Sequence, residues 1–182
     1  MKTINRHHRR SIRLKEYDYS HPDEYFVTIC THNHECMLGE IINGELRLNA
    51  IGKIVKEEWL RTAIIRPDIQ LDLYEILLHA LRVTVTSLRL SNHIHGIIVL
   101  NEGRGTLQRA PTVERFGKPT SNSIPTIVRL FKSATTKHIN EIRGTAGIRF
   151  WQRNYYDRVI RNDKELDNIR DYIHNNILQW AF

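Results

Sequence analysis

Cysteine is scarce in this chain of 182 residues, which contains only Cys30 and Cys36. Two thiols cannot build a disulfide framework, and no Cys-x-x-Cys pair is present, which argues against a disulfide-stabilised secreted domain. The sequence also lacks any apolar run near the roughly 18 residues that a membrane helix needs. Its basic N-terminus has no apolar core of the kind found in secretory signals. We therefore expect a reduced, cytoplasmic protein with no membrane partner.

What the chain does contain is apolar residues and positive charge. Apolar residues make up 41% of it, enough for a folded core. Lysine and arginine number 27 against 20 acidic residues, a formal net charge of +7. Such an excess favours an anionic partner, most commonly nucleic acid, although a merely soluble basic protein is the alternative. With no internal repeat and no second core in the pattern, we expect one domain spanning residues 1–182.

The spacing of apolar residues separates predicted strands from predicted helices. Runs rich in β-branched and aromatic residues predict strands in residues 25–31, 45–49, 69–78 and 93–100. Helical spacing predicts helices in residues 50–62, from the cap Ser123 to Gly144, and in residues 163–176. Residues 1–20 are expected to form a basic arm, and residues 101–122 an exposed loop.

The same spacing predicts which side chains face the core. In the helix after Ser123 the predicted inner face comprises Ile127, Leu130, Phe131, Ala134, His138 and Ile142. In the last helix, which Asn162 and Glu165 are expected to cap, it comprises Leu166, Ile169 and Ile173.

The most informative local pattern is the histidine pair in Asn92-His93-Ile94-His95. Side chains alternate along a strand, so His93 and His95 should point to the same face. Neutral imidazoles suit a first-row or borderline divalent metal, but two ligands are too few, and a carboxylate or amide must assist them. Because the chain has ten histidines, a chance pair of partly exposed strand residues is the alternative.

A second pattern lies on the last predicted helix, where Tyr172 and Asn176 are four residues apart and therefore neighbours on one face. A phenol, with a pKa of about 10, is a poor nucleophile at neutral pH. A metal on a scissile phosphate would make phosphorus more electrophilic and stabilise the leaving oxygen. The amide oxygen of Asn176 can complete such a metal shell. The alternative is a boundary tyrosine with its ring in the core and its hydroxyl in water.

Three segments together resemble the REP-associated tyrosine transposases, which belong to the single-tyrosine HUH superfamily of insertion-sequence transposases. They are Asn92-His93-Ile94-His95-Gly96, Trp151-Gln152-Arg153-Asn154-Tyr155-Tyr156 and Tyr172-Ile173-His174-Asn175-Asn176. Residues 25–31, 48–52 and 123–137 are also similar to the family, so the resemblance covers nearly the whole chain.

The resemblance implies an α+β fold, a ferredoxin-like antiparallel sheet with helices packed on one face. It implies that His93, His95 and Asn176 bind Mg²⁺ or Mn²⁺ and that Tyr172 is the nucleophile. In the implied reaction, this tyrosine attacks single-stranded DNA beside a short hairpin, forms a 5′-phosphotyrosine and frees a 3′-hydroxyl. Reversal rejoins strands. Such a protein would work on DNA in the bacterial nucleoid, as a monomer or homodimer.

Basic residues supply the predicted DNA contacts, because they can make salt-dependent contacts to phosphate. They are Arg9, Arg10, Arg13, Arg129, Lys132, Arg149 and Arg153. Trp151 is a candidate for stacking on unpaired bases. Tyr155 and Tyr156 compete with Tyr172 as candidate nucleophiles.

The chain departs from the family pattern next to the histidine pair. Residues 77–90 are an extra stretch, Leu90-Ser91 stands where Met-Pro is expected, and Ile177 replaces a common proline. A one-residue slip of register there would turn both histidines away from the site. A catalytically decayed protein that still binds hairpin DNA is therefore the main alternative. A replication-initiator or relaxase-like nickase and an RNA-binding module rank below it.

Overall fold

In the computed structural model of the protein, residues 17–42, 45–79, 90–102 and 122–178 are described. Within these ranges, the side chains of residues 41, 45, 77–79, 90–91 and 176–178 are not. The predicted basic arm up to residue 16, nearly all of the predicted loop 101–122 and the insertion from residue 80 to 89 lie outside the described residues.

Six strands and three α-helices are formed by the described residues. The strands are β1 (Asp23–Cys30), β2 (Gly39–Ile42), β3 (Glu45–Leu48), β4 (Ile69–His79), β5 (Leu90–Leu100) and β6 (Tyr156–Ile160). The helices are α1 (Ala50–Ile64), α2 (Ile124–Arg143) and α3 (Asp163–Leu178). Each strand and helix predicted from the sequence within the described residues is present. None of the described helices is long and apolar enough to cross a membrane.

The central sheet is antiparallel throughout and has the order β4-β5-β1-β6. The β2–β3 hairpin joins it at one point, where Glu40 pairs with Leu90. Without the hairpin, the chain order is strand, helix, two strands, helix, strand, which is the ferredoxin-like arrangement. The predicted fold class is therefore confirmed.

Helices α1 and α2 pack on one face of the sheet. Trp59 of α1 and Phe131 of α2 lie edge to face there, with ring centroids 5.3 Å apart. Gly96 of β5 lies under Trp59, and a β-carbon added at Gly96 would come within 2.3 Å of the indole. A glycine at this position therefore allows α1 to lie close to the middle of the strand that carries the histidine pair.

Helix α3 covers the opposite face, so the expectation that helices share one face holds for α1 and α2 but not for α3. A second apolar cluster joins alternate residues of three strands to one side of α3. It consists of Phe26, Ile97, Ile160, Leu166, Ile169 and Ile173. On this face Phe26 of β1 and Ile97 of β5 pack against α3, whereas Thr28 and His95, on the same face of these strands, are polar.

The predicted caps are largely present. The backbone N–H of Glu165 donates to the side-chain oxygen of Asn162 at 2.9 Å, which begins α3. Gly144 ends α2 in the left-handed conformation, with φ 63°. Ser123 is the N-cap residue of α2 but makes no side-chain capping hydrogen bond.

The predicted inner face of α2 is partly wrong. Leu130 and Ile142 are 41% and 66% exposed, whereas Val128, Thr135 and Ile139 are buried. The helix is rotated from the predicted orientation, and the hydroxyl of Thr135 accepts a hydrogen bond from the indole of Trp151 at 2.7 Å. A polar residue thus occupies the core because it has a buried partner. In α3 the predicted inner residues Leu166, Ile169 and Ile173 are all buried.

Candidate active site

Four side chains form a row across the sheet on the face covered by α3. In strand register, Glu75 of β4 lies opposite His95 of β5, His95 opposite Thr28 of β1, and Thr28 opposite Tyr156 of β6. His93 lies two residues along β5, opposite Cys30. The two histidines therefore share one face, as alternation along a strand predicts.

Both imidazoles are held by hydrogen bonds at Nδ1. In His95 this nitrogen lies 2.7 Å from the hydroxyl of Thr28, and in His93 it lies 2.8 Å from the side-chain oxygen of Asn92. The two ring centroids are 4.7 Å apart. Histidines that ligate metals commonly engage one ring nitrogen in such a bond, which fixes the ring and directs the other nitrogen to the ion. The pair thus fits half of a divalent-metal site that would use Nε2 of each ring.

The environment of His95 keeps it uncharged. The side chain is only 5% exposed. Burial, reinforced by neighbouring His93, lowers the pKa of His95 to about 3. A neutral imidazole is the form that ligates a metal, so His95 would not need to lose a proton at neutral pH.

Tyr172 lies beside His95. Its ring centroid is 5.5 Å from that of His95 and 6.2 Å from that of Phe26, and its side chain is 52% exposed. The buried residues Ile169 and Ile173 fix α3 on the sheet, which leaves the ring of Tyr172 at the boundary between core and solvent. The structure thus brings together the histidine pair and the predicted nucleophile.

Asn176 lies on α3 one turn beyond Tyr172. Its side chain falls outside those described, so its role as a metal ligand stays a prediction. Among the described residues, no three histidine, cysteine, aspartate or glutamate side chains converge to hold a metal ion. The two imidazoles alone do not complete a site, and further ligands are needed.

The insertion does not turn the histidines away from the site. Pairing of β4 with β5 keeps Leu77 opposite His93, and the register shifts only beyond it, between Leu77 and Leu78. Another shift lies at the far side, between Leu71 and Tyr74. The pairs at Glu75 and Leu77 therefore lie within a regular stretch between two irregularities.

Tyr155 and Tyr156, the two other candidate nucleophiles, lie on opposite faces of the sheet. Tyr156 lies on the same face as Tyr172, is 41% exposed and has its ring 6.2 Å from that of Phe26. Its strand is two positions from that of His95, a backbone separation of about 10 Å. Tyr155 packs against the core under α1 and α2, with the ammonium of Lys132 6.0 Å from its ring. Among the three candidate nucleophiles, Tyr172 has its ring packed against the ring of His95.

The predicted DNA contacts on α2 and before β6 divide into two groups. Arg129, Arg149 and Arg153 are exposed and line one concavity between α2 and the segment preceding β6. Lys132 reaches the same concavity, but its ammonium donates to the backbone carbonyls of residues 152, 153 and 154 at 2.5, 3.3 and 3.4 Å. Burial lowers the pKa of Lys132 to about 8. Lys132 therefore holds this segment in place.

The prediction that Trp151 stacks on unpaired bases is wrong for this structure. Its side chain is 2% exposed and its indole N–H donates to Thr135. Trp151 instead anchors the segment that carries Arg153 to the core. The predicted contacts Arg9, Arg10 and Arg13 lie outside the described residues.

Sequence reasoning missed Thr28, Glu75 and Phe26, which surround His95. No motif identifies them. They become visible only through strand register, since Thr28 and Glu75 are the partners of His95 on either side. The sequence could have pointed to Thr28 and Glu75 only if the predicted strands 25–31 and 69–78 had been aligned as neighbours of the histidine strand.

Comparison with known proteins supports a family assignment and, separately, a fold. No protein-family model matches the chain. An uncharacterized protein of Haemophilus influenzae is 38% identical over 180 residues, covering 96% of this chain and 91% of that protein. The solved structure of a REP-associated tyrosine transposase bound to a REP hairpin aligns with 98% of this chain and 74% of that one, with a TM-score of 0.53 and 17% identity. The chain thus belongs to the same family as the uncharacterized Haemophilus influenzae protein, and its fold is that of the REP-associated tyrosine transposase.

Proposed function

We propose that this protein cleaves and rejoins single-stranded DNA next to hairpin sequences through a covalent bond to Tyr172. The observation that carries the proposal is the packing of Tyr172, on α3, against His95 of β5. That strand presents both His93 and His95 to the face that α3 covers. The fold shared with a transposase solved on a REP hairpin supports a DNA substrate of the same kind. The net charge of +7 agrees with it.

In the proposed reaction, the phenolic oxygen of Tyr172 attacks the scissile phosphate. A bond forms between this oxygen and phosphorus, and the bond from phosphorus to the 3′-oxygen breaks. The phenol proton passes to water, and the released 3′-oxygen takes up a proton. The product is a 5′-phosphotyrosine, which conserves the energy of the broken bond, so that another 3′-hydroxyl can reverse the step without an external energy source.

The remaining site residues position the reacting groups. His93 and His95, with Asn176, would hold Mg²⁺ or Mn²⁺, and the ion would neutralise charge on the phosphate. Thr28 and Asn92 orient the two imidazoles through their Nδ1 atoms. The apolar contacts of Ile169 and Ile173 determine where Tyr172 sits over the sheet.

For DNA binding we propose the arginines of the concavity beside α2. Arg129, Arg149 and Arg153 are exposed there, and each guanidinium can contact phosphate oxygens. Lys132 contributes indirectly, because its hydrogen bonds to the carbonyls of residues 152–154 position Arg153.

A covalent-adduct assay tests the proposal. Purified protein is mixed with labelled single-stranded hairpin DNA from its genomic flanks, with Mn²⁺ or with EDTA, and analysed on a denaturing gel. We expect a metal-dependent band of protein joined to DNA. The Tyr172→Phe variant should lose this band, and Tyr156→Phe, the matched change on the same face, should keep it.

A protein that binds hairpin DNA without cutting it is the second candidate. It is favoured by the fold shared with a transposase solved on a REP hairpin and by the exposed arginines beside α2, both of which serve binding without cleavage. Salt-sensitive binding of the hairpin with no adduct in Mn²⁺ would support this candidate and contradict the first.

A further inference from the structure

Glu75 is the one carboxylate in register with the histidine pair among the described residues. It lies on β4 directly opposite His95 of β5. Directly opposed side chains of an antiparallel pair lie on the same face, with β-carbons about 4.5–5.5 Å apart. The side chain of Glu75 thus leaves the backbone next to that of His95, whose imidazole Thr28 contacts from the other side.

The surroundings of Glu75 leave its charge poorly compensated. The side chain is half-buried, and no described residue forms a hydrogen bond or salt bridge with it. Lys56 and His174 act on it electrostatically without forming an ion pair with it. A partly buried carboxylate without a close partner is costly, and a bound cation would offset that cost.

We propose that Glu75 is a third protein ligand of the divalent cation held by His93 and His95. This inference rests on the metal site of the proposed function and adds an oxygen ligand to it. A carboxylate oxygen is the ligand type that Mg²⁺ and Mn²⁺ prefer, and two imidazoles alone suit these ions less well. Cys30, opposite His93, is a weaker candidate, because these hard ions disfavour sulfur ligands.

Coordination requires Glu75 to change its side-chain conformation. In the described structure its carboxylate does not converge with the two imidazoles. Its backbone position is fixed by the pairing with His95, whereas its side-chain torsions can adopt other staggered rotamers. The bound ion would supply the attraction that selects the converging rotamer.

If Glu75 is a metal ligand, metal binding should not require DNA. With a carboxylate and two neutral imidazoles, the protein can hold the cation before DNA arrives. We therefore expect the full chain to bind Mn²⁺ in the absence of DNA.

The test is a titration of the DNA-free protein with Mn²⁺, in which electron paramagnetic resonance measures the free ion. We expect Glu75→Gln to weaken Mn²⁺ binding about tenfold or more, as loss of a metal-site partner commonly does. The matched control is Glu24→Gln. Glu24 of β1 lies on the same face of the sheet as Thr28, but it pairs with Val99, two side-chain positions away from His95. Its variant should bind Mn²⁺ like the unaltered protein.

Unchanged Mn²⁺ affinity in Glu75→Gln, an equal loss in Glu24→Gln, or no Mn²⁺ binding by the unaltered protein would each overturn the inference. Circular dichroism verifies that the variants fold. If Glu75→Gln does not fold, Glu75→Asp replaces it. That change keeps the charge but withdraws the carboxylate by one methylene, so it should also weaken binding, and unchanged affinity would count against the inference.

The outcome is separable from that of the adduct assay. An adduct in the unaltered protein, together with normal Mn²⁺ binding by Glu75→Gln, would overturn the role of Glu75 and leave the proposed function standing. Loss of Mn²⁺ binding in Glu75→Gln, with no adduct in the unaltered protein, would support the metal site and overturn the proposed function.

Discussion

The ring of Tyr172 lies 5.5 Å from the ring of His95, centroid to centroid, although one belongs to the last helix and the other to a central strand. The two rings meet because α3 packs on the face of the sheet opposite α1 and α2. Any change that displaces α3 should therefore affect the site without altering a reactive group.

Ile173 is the anchor to test first. It is fully buried beside Tyr172, and Ile173→Ala should lower the free energy of unfolding by about 2–4 kcal/mol. The matched control is Ile142→Ala on α2, where the side chain is 66% exposed and the loss should stay below about 0.5 kcal/mol. Urea denaturation measures both. Equal losses in the two variants would contradict the described packing of α3.

Thr28 is predicted to act through His95. Thr28→Val removes the hydroxyl at Nδ1 with little change of shape, and it should weaken Mn²⁺ binding by about tenfold while the protein stays folded. Thr62→Val in α1 removes a comparable hydroxyl, one that donates to a backbone carbonyl of the same helix, and should leave Mn²⁺ binding unchanged. Isothermal titration calorimetry compares the two. No effect of Thr28→Val would show that this hydroxyl does not orient the ring.

Because the imidazole of His95 is buried, the free energy of unfolding should decrease as the pH is lowered. Its pKa is lowered to about 3 in the folded protein, against about 6.5 in an unfolded chain. Between these values the unfolded state binds more protons, so stability falls as the pH is lowered through this window, by an amount on the order of a few kcal/mol. Denaturant titrations in EDTA at several pH values should show the fall, and His95→Gln should reduce its slope. An unchanged slope in His95→Gln would contradict the assigned cause.

The arginines that line the concavity beside α2 should make DNA binding depend on salt concentration. Replacing Arg149 or Arg153 with alanine should weaken binding to hairpin DNA and reduce the slope of log affinity against log salt by about 1 for each phosphate that is no longer neutralised. Arg61→Ala, in a separate concavity between α1 and α2, is the control and should leave the slope unchanged. Fluorescence anisotropy measures binding at several salt concentrations. A uniform effect of all three variants would indicate net charge alone.

Much of the fold follows from local patterns, because the strands around Phe26 and His95 and the helix around Ile169 carry clear periodicities. The position of α2 does not. Its burial of Thr135 depends on the indole of Trp151, which is distant in sequence. A helical period predicts that one stripe is buried, but neighbouring stripes on α2 were similarly apolar, and only a tertiary hydrogen bond distinguished them.

The candidate site likewise contains some residues that local patterns predict and others that only tertiary structure reveals. His93 and His95 share a face by strand alternation alone, whereas the residues that flank them, Thr28 and Glu75, depend on strand register. The stacking function predicted for Trp151 from its side-chain type is wrong, and the DNA contact predicted for Lys132 stays a prediction for a residue whose ammonium already binds backbone carbonyls. Charge and aromaticity are visible in a sequence, but the carbonyls that engage Lys132 and the core that buries Trp151 are not.

The proposed function depends on a metal-dependent covalent bond between Tyr172 and DNA. The most direct measurement is the denaturing-gel adduct assay with Mn²⁺, comparing the unaltered protein, Tyr172→Phe and Tyr156→Phe. We expect an adduct that EDTA and Tyr172→Phe abolish and that Tyr156→Phe preserves. An adduct that survives Tyr172→Phe, or a folded, hairpin-binding protein that forms no adduct in Mn²⁺, would contradict it.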